Sequence, residues 1–212
     1  MQLKDGTYAP GSTTILGQLD KPFLVKWANN LGKKGIDSTE YTNEKAKIGE
    51  LIHRIIQSHL LHTELDVSNY TDEELVIAEK AFYRYLDWER QHIIEDIEVE
   101  KELVSETYKY GGLLDIYCKV DGLWTVIDIK TSKSINIEQE IQVASYEMLV
   151  RENNLKVEQL LIINPGKEDN SKLLTKEITF NDSIKYFKLF KSLIDVYYIK
   201  KEIGWKEWHY KN

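Results

Sequence analysis

Residues 111–133 read GGLLDIYCKVDGLWTVIDIKTSK and place two aspartates and a lysine, Asp115, Asp128 and Lys130, in otherwise apolar, strand-forming runs. The runs "YCKV" and "LWTV" are rich in β-branched and aromatic residues, and the Asp-Gly between them signals a two-residue type I′ hairpin turn. With Asp121 and Gly122 as the turn, Val120 faces Leu123, Tyr117 faces Val126 and Asp115 faces Asp128. The alternation makes 115/128 a non-hydrogen-bonded pair, whose Cα atoms approach to about 4.5 Å. Like charges placed directly opposite are destabilising. Lys130 lies two residues on, so the expected face holds two carboxylates and an ammonium beside Tyr117 and Val126.

Two readings fit this pattern. In one, the register is off by a residue, or the face is solvated and carries a surface ion pair. In the other, a divalent cation sits between the carboxylates. Mg²⁺ prefers oxygen ligands, commonly one or two carboxylates completed by water and substrate phosphate. A cation of that kind polarises a phosphate and acidifies water, and a neighbouring lysine can orient that water or stabilise developing charge. The chemistry would be phosphodiester hydrolysis.

These residues need elements to hold them. The first ninety residues read as helices. "KPFLVKWANNLG" spaces Phe23, Leu24, Trp27 and Leu31 helically, with Pro22 in its first turn and Gly32 as its C-cap. "NEKAKIGELIHRIIQSHLL" carries the stripe Ile48, Leu51, Ile52, Ile55 and Ile56. "TDEELVIAEKAFYRYLDWERQ" opens on a capping box from Thr71 to Glu74, with the stripe Leu75, Ala78, Phe82, Tyr85 and Leu86. The second half changes period: strands at 93–105, 112–130, "EQLLIINPG" and "KLLTKEITF", and helices in "NIEQEIQVASYEMLVREN" and "NDSIKYFKLFKSLIDVYYIKKE". A helix between strands 123–130 and 159–164 implies a crossover and therefore a mixed sheet. The expected fold is an α/β mixed sheet flanked by helices, in a single domain with a helical part over 1–92 and a core over 93–212.

At 212 residues with 42% hydrophobic and 30% charged residues, the composition suits a globular protein. No apolar run approaches the ~18 residues of a membrane span, and the N-terminus lacks a signal-peptide pattern. One cysteine, Cys118, excludes an intramolecular disulfide and any multi-cysteine zinc or iron–sulfur site, which suggests a reducing cytoplasm. The net charge of −7 argues against a passive nucleic-acid coat, though not against an enzyme with a local basic strip.

Four segments in order resemble the PD-(D/E)XK nuclease superfamily, in its RecB-like exonuclease branch. "IGELIH" resembles the Gly-x-x-x-His helix, "YGGLLD" the Gly-x-x-Asp strand, "VIDIKT" the Asp-x-Lys core and "QVASY" the Gln-x-x-x-Tyr helix. "STTILGQLDKPFLVKW" resembles the N-terminal helices of phage and mitochondrial members, so the likeness spans roughly residues 10–165. The likeness departs from the family in three ways: Leu114 precedes Asp115 where the name-giving proline would stand, the second acid is Asp128 rather than Glu, and the cysteines of iron–sulfur members are missing. No Gly-x-x-x-x-Gly-Lys-Ser/Thr motor loop occurs.

The resemblance implies a restriction-endonuclease-like core and a free-standing DNA exonuclease of recombination, repair or genome processing. It implies Mg²⁺ or Mn²⁺ held by Asp115, Asp128 and the Ile129 carbonyl, with His53 nearby and Lys130 assisting water. Gln142 and Tyr146, at i and i+4 on one helix face, would hold phosphate or Lys130 and brace the site; core packing is the plain alternative. Glu100 or Glu102 would be a further acid, Glu100 having the better spacing, although a solvated edge explains them equally. Glu50, one turn before His53, is its partner or a surface acid. The C-terminal aromatics Tyr197, Tyr198, Trp205, Trp208 and Tyr210, interleaved with lysines, suit either base stacking or helix packing. Helices carrying Trp27 and His53 would wall the site, so DNA with free ends or single strands is the expected partner, gripped by Lys130 and Lys133. An endonuclease, or a non-catalytic DNA-binding module on the same fold, are the rival readings.

Overall fold

The computed structural model describes residues 1–205; Trp208 and Tyr210 lie outside them. Eleven elements follow in order: α1 (Ser12–Leu16), α2 (Pro22–Gly32), α3 (Ser38–Leu61), α4 (Asp72–Glu89), β1 (Ile94–Ser105), β2 (Tyr110–Val120), β3 (Leu123–Ile129), α5 (Ile137–Glu152), β4 (Gln159–Asn164), β5 (Leu174–Glu177) and α6 (Phe180–Glu202). The sheet runs β1-β2-β3-β4-β5. Only β3 and β4 are parallel, joined by the crossover helix α5; every other neighbouring pair is antiparallel. The sheet is therefore mixed, with a helical half before it. Among the described residues no helix is long and apolar enough to cross a membrane.

Both sheet faces are covered. On one, α3 and α4 bury Leu51, Ile52, Ile56 and Tyr85 against Ile116, Cys118, Ile127, Ile129 and Ile163. On the other, α5 and α6 bury Ile141, Tyr146, Leu149 and Phe190 against Leu114, Tyr117, Val126 and Ile162. Fully burying an aliphatic side chain of this kind contributes roughly 1.5–3 kcal/mol, so two layers of them outweigh the cost of a few buried polar groups at the sheet's end. Helix starts follow local chemistry. Asp37 caps α3 by accepting from the Thr39 and Glu40 N–H groups, and Thr71 and Glu74 form the reciprocal capping box of α4.

One expected element, α2, differs in two ways. Helix α2 does not stop on Gly32 as a left-handed cap: Lys33 follows in right-handed geometry, and the positive φ of +72° falls on Gly35. Nor does its apolar stripe meet the core, for no residue of α2 is buried. Amphipathic spacing requires a covering surface, and the sheet's α3 side is already filled by α3 and α4.

Candidate active site

The turn residues Asp121 and Gly122 both take positive φ, +51° and +84°, as a type I′ turn requires. Val120 pairs with Leu123 and Tyr117 with Val126, but the ladder's last pair is Ile116–Ile127. Beyond it the strands part. The Asp115 carboxylate takes the place of a ladder carbonyl, its Oδ2 accepting from the Ile129 N–H at 2.8 Å.

The face assignment also changes at this point. Leu114 packs on the α5 side with Tyr117, whereas Ile116 packs on the α3 side, so the period-2 alternation slips by one residue at Asp115. Strand β1 slips opposite it. Val99 packs on the α3 side and Leu103 on the α5 side, and Glu100 between them holds a φ of +50°. A non-glycine residue there costs about 1–3 kcal/mol and persists where surrounding structure imposes it. Of the single face expected for Asp115, Asp128, Lys130, Tyr117 and Val126, four residues share the α5 side and Asp115 alone leaves it. Asp115 opens onto a cleft beside α3, while Asp128, between α3-facing Ile127 and Ile129, lies with Lys130 toward α5.

Asp128 is fully buried. The Lys130 ammonium donates to its Oδ1 at 3.0 Å. The same ammonium is 2.8 Å from Oδ2 but at an angle that makes no hydrogen bond, which leaves Oδ2 buried with a charge contact and no hydrogen-bond partner. Burial raises the proton affinity of both carboxyls above the usual carboxylate range, against the opposing pull of Lys130. One ammonium thus faces two carboxylates. Lys130 also donates to Gln142 Oε1 at 3.1 Å, and Gln142 Nε2 donates to Tyr146 Oη at 2.6 Å. Its backbone is fixed by the Lys130 N–H donating to the Ile163 carbonyl of β4.

The cleft, about 510 Å³, is lined by His53, Glu50, Glu100, Asp115, Lys45 and Lys167 among others. His53 Nδ1 is 3.7 Å from Asp115 Oδ2. Burial, first among the influences on it, pushes the imidazole down to about 4 despite the attraction of Asp128, so the ring is neutral at pH 7. Glu100 reaches the cleft, whereas Glu102 is exposed and lies 3.5 Å from the N-terminal ammonium of Met1. Lys133 is exposed and outside this cleft. Tyr197 and Tyr198 pack on the α6 core, and Trp205 is exposed. Cys118 is buried, its thiol pushed up to about 12, which makes it a core residue.

Four more residues take part, and three of them gave no signal that stood out in the chain; Gly49, the glycine of the Gly-x-x-x-His segment, is the exception. Gly49 lies so close to the loop after β3 that a Cβ would sit 2.9 Å from Thr131 Oγ1. Asn164 donates to the Ser132 carbonyl at 2.9 Å and accepts from the Gly166 N–H at 2.9 Å, tying the two loops together. Lys167 follows Pro165-Gly166, read only as a strand end, and its Nζ donates to the Lys45 carbonyl at 2.7 Å. Lys45 is the fourth.

Gly112 shows how tightly α5 is seated. A Cβ there would meet Tyr146 Cε1 at 2.6 Å and Leu149 Cδ1 at 2.7 Å. Gly112→Ala is expected to push Tyr146 away from Gln142 and to cost about 1–3 kcal/mol, read as a fall in melting temperature with loss of activity at temperatures where the variant is folded. An unchanged melting temperature would contradict this packing.

Among the described residues no three His, Cys, Asp or Glu side chains converge closely enough to hold a metal by themselves. The donors fit a hard cation that takes two carboxylates and completes its shell with carbonyl, water and substrate oxygen. The unpartnered buried Oδ2 of Asp128 is the feature such an ion would satisfy.

No family model matches the chain. No curated protein is significantly similar in sequence. Among solved structures it resembles one titled "Putative exonuclease" from Eubacterium rectale, with 12% identity over 76% of this chain and 69% of that one, at a TM-score of 0.54. An alkaline exonuclease from Laribacter hongkongensis aligns with 12% identity over 72% of this chain and 83% of that one, at a TM-score of 0.37. The first likeness defines the class at the level of fold: a mixed sheet between helices, with a helical N-terminal half, as in that solved structure.

Proposed function

We propose that this chain is a metal-dependent deoxyribonuclease that hydrolyses phosphodiester bonds from DNA ends, with the PD-(D/E)XK arrangement as its catalytic centre. The observation that carries the reading is the pair of aspartates at the parting of β2 and β3, one of them buried with an unpartnered oxygen, served by a single ammonium. A structural ion pair needs one carboxylate, and a second one nearby only adds repulsion. The solved structure of similar fold described as a "Putative exonuclease" agrees with the reading.

Asp115, Asp128 and the Ile129 carbonyl would hold Mg²⁺ or Mn²⁺, with His53 alongside. Such an ion supplies charge neutralisation at the phosphate and a more acidic water. Lys130 holds its ammonium where negative charge develops on the phosphoryl oxygens and orients the attacking water. Gln142 fixes Lys130, and Tyr146 fixes Gln142. Neutral His53 accepts or donates one hydrogen bond without adding positive charge. Glu100 is the candidate further acid; Glu102, engaged with Met1, is the weaker one.

The cleft is open and no α2 residue lines it, so end dependence rests on the chain's acidic balance, which lacks the broad basic surface that holding internal duplex sites favours. Linear DNA is expected to be degraded progressively with Mg²⁺ or Mn²⁺, to survive with chelator, and to outpace covalently closed circles of either strandedness. Rapid nicking of closed circles would favour an endonuclease, and metal-independent binding without any cleavage a non-catalytic module.

A further inference from the structure

Helix α2 turns a row of apolar side chains outward. Phe23 is 62%, Leu24 43% and Trp27 37% exposed. Between α2 and α3 runs a groove of about 560 Å³ lined by Leu24, Trp27, Tyr41, Lys45, Ala46 and Lys167. Lys45, Ala46 and Lys167 also line the cleft that contains His53 and Asp115, so groove and cleft are continuous. At the junction stand two cations. Lys167 is anchored on the Lys45 carbonyl at 2.7 Å, and Lys45 is 3.3 Å from Glu168, a half-exposed contact a phosphate can replace. Beyond them, Trp27 and Tyr41 meet edge-on with ring centroids 6.1 Å apart, and Lys45 Nζ lies 5.8 Å from the Tyr41 ring centre.

We infer that the α2–α3 groove binds the single-stranded segment adjoining the scissile bond, with a phosphate on Lys45 and Lys167 and a base stacked on Trp27. The inference rests on the nuclease reading for its occupant. Two features favour a nucleic-acid strand over an apolar peptide: the cations at the mouth and the groove's continuity with the candidate catalytic cleft. Stacking on an aromatic face tolerates any base, and a cationic groove follows the backbone, so the segment is gripped without regard to sequence.

The test is binding of a fluorescein-labelled short oligothymidylate, followed by anisotropy in chelator so that no cleavage occurs. Trp27→Ala is expected to weaken binding about 10-fold or more, and Trp27→Phe to retain most of it. Lys167→Gln is expected to lower the slope of log affinity against log salt by about 0.7, the value for one phosphate contact on a single strand. Trp27 is 37% exposed and no residue of α2 joins the core, so Trp27→Ala should leave a cooperatively folded protein whose melting temperature falls by only a few degrees. Unchanged affinity in Trp27→Ala, or no binding by wild type, would overturn the inference. So would self-association that Trp27→Ala abolishes while oligonucleotide affinity stays the same, since the face would then belong to a second copy. If Trp27→Ala weakens binding but wild type cleaves nothing with Mg²⁺ or Mn²⁺, the groove stands and the nuclease reading falls.

Discussion

Lys130→Ala is expected to reduce DNA cleavage by about 10²–10⁴-fold, the range for losing a group that stabilises charge or moves a proton in the transition state. The Lys130 side chain is only 19% exposed and its ammonium lies against both oxygens of Asp128, so no water or neighbouring cation replaces it at the same place. Removing it also leaves Asp128 without its counter-charge. Breaking a buried pair from one side costs about 3–5 kcal/mol when the remaining charge cannot relax. Here Asp128 already favours its proton, so protonation limits the loss, and the variant should be least stable at alkaline pH and recover toward acid. Added Mg²⁺ should restore stability, because an ion between the carboxylates takes over neutralisation, but not activity. Activity near wild type in a folded, metal-saturated variant would remove Lys130 from the mechanism.

The two aspartates are expected to behave oppositely without metal. Asp115→Asn leaves the Asp128–Lys130 pair intact and deletes the surplus negative charge, and the amide oxygen can still accept from the Ile129 N–H. It should raise the metal-free melting temperature by about 2–4 °C, equivalent to about 1 kcal/mol in a chain of this length. Asp128→Asn removes the partner of a buried lysine and should lower it. The pH dependence fixes the sign. Asp115 holds its proton more tightly folded than unfolded, so its ionisation costs nothing well below the unfolded value of 3.8, costs progressively more as pH rises toward the folded value of about 6, and is fully expressed above it. The advantage of Asp115→Asn should therefore appear at alkaline pH and vanish in acid. Both variants should lose activity and most of the Mg²⁺-induced stabilisation, which for wild type reaches about 2.7 kcal/mol at a hundredfold excess over Kd. Equal metal shifts in all three proteins would show that the cation binds elsewhere.

Much of this architecture was legible in the chain because it is local. A capping box, a two-residue Asp-Gly turn and helical stripes depend on residues within a few positions of one another, and α3, α4 and the β2–β3 turn form where those signals stand. A helix between two buried strands required a crossover, and α5 with parallel β3 and β4 follows from that. The residues Asp115, Asp128, Lys130, Gln142 and Tyr146 were recognisable by type and order, and the structure brings them to one end of the sheet.

Tertiary structure decided the rest. Strict alternation put Asp115 and Asp128 on one face; the slip at Asp115, matched by the positive φ of Glu100 on the neighbouring strand, is a compromise between two strands and cannot be read from either. Strand alternation puts Glu100 and Glu102 on one face, yet one lines the cleft and the other meets Met1, a contact across about a hundred residues of chain. Lys45 on α3, Asn164 at the end of β4 and Lys167 in the loop after it meet because Gly49 lets the loop after β3 approach α3 and hydrogen bonds from Asn164 tie two connections together. The apolar stripe of α2 predicted burial, and the fold left it open because α3 and α4 had already filled the only face it could reach. Periodicity states which side of a helix is apolar, whereas what covers that side is settled by the competition of every other element for the same surface.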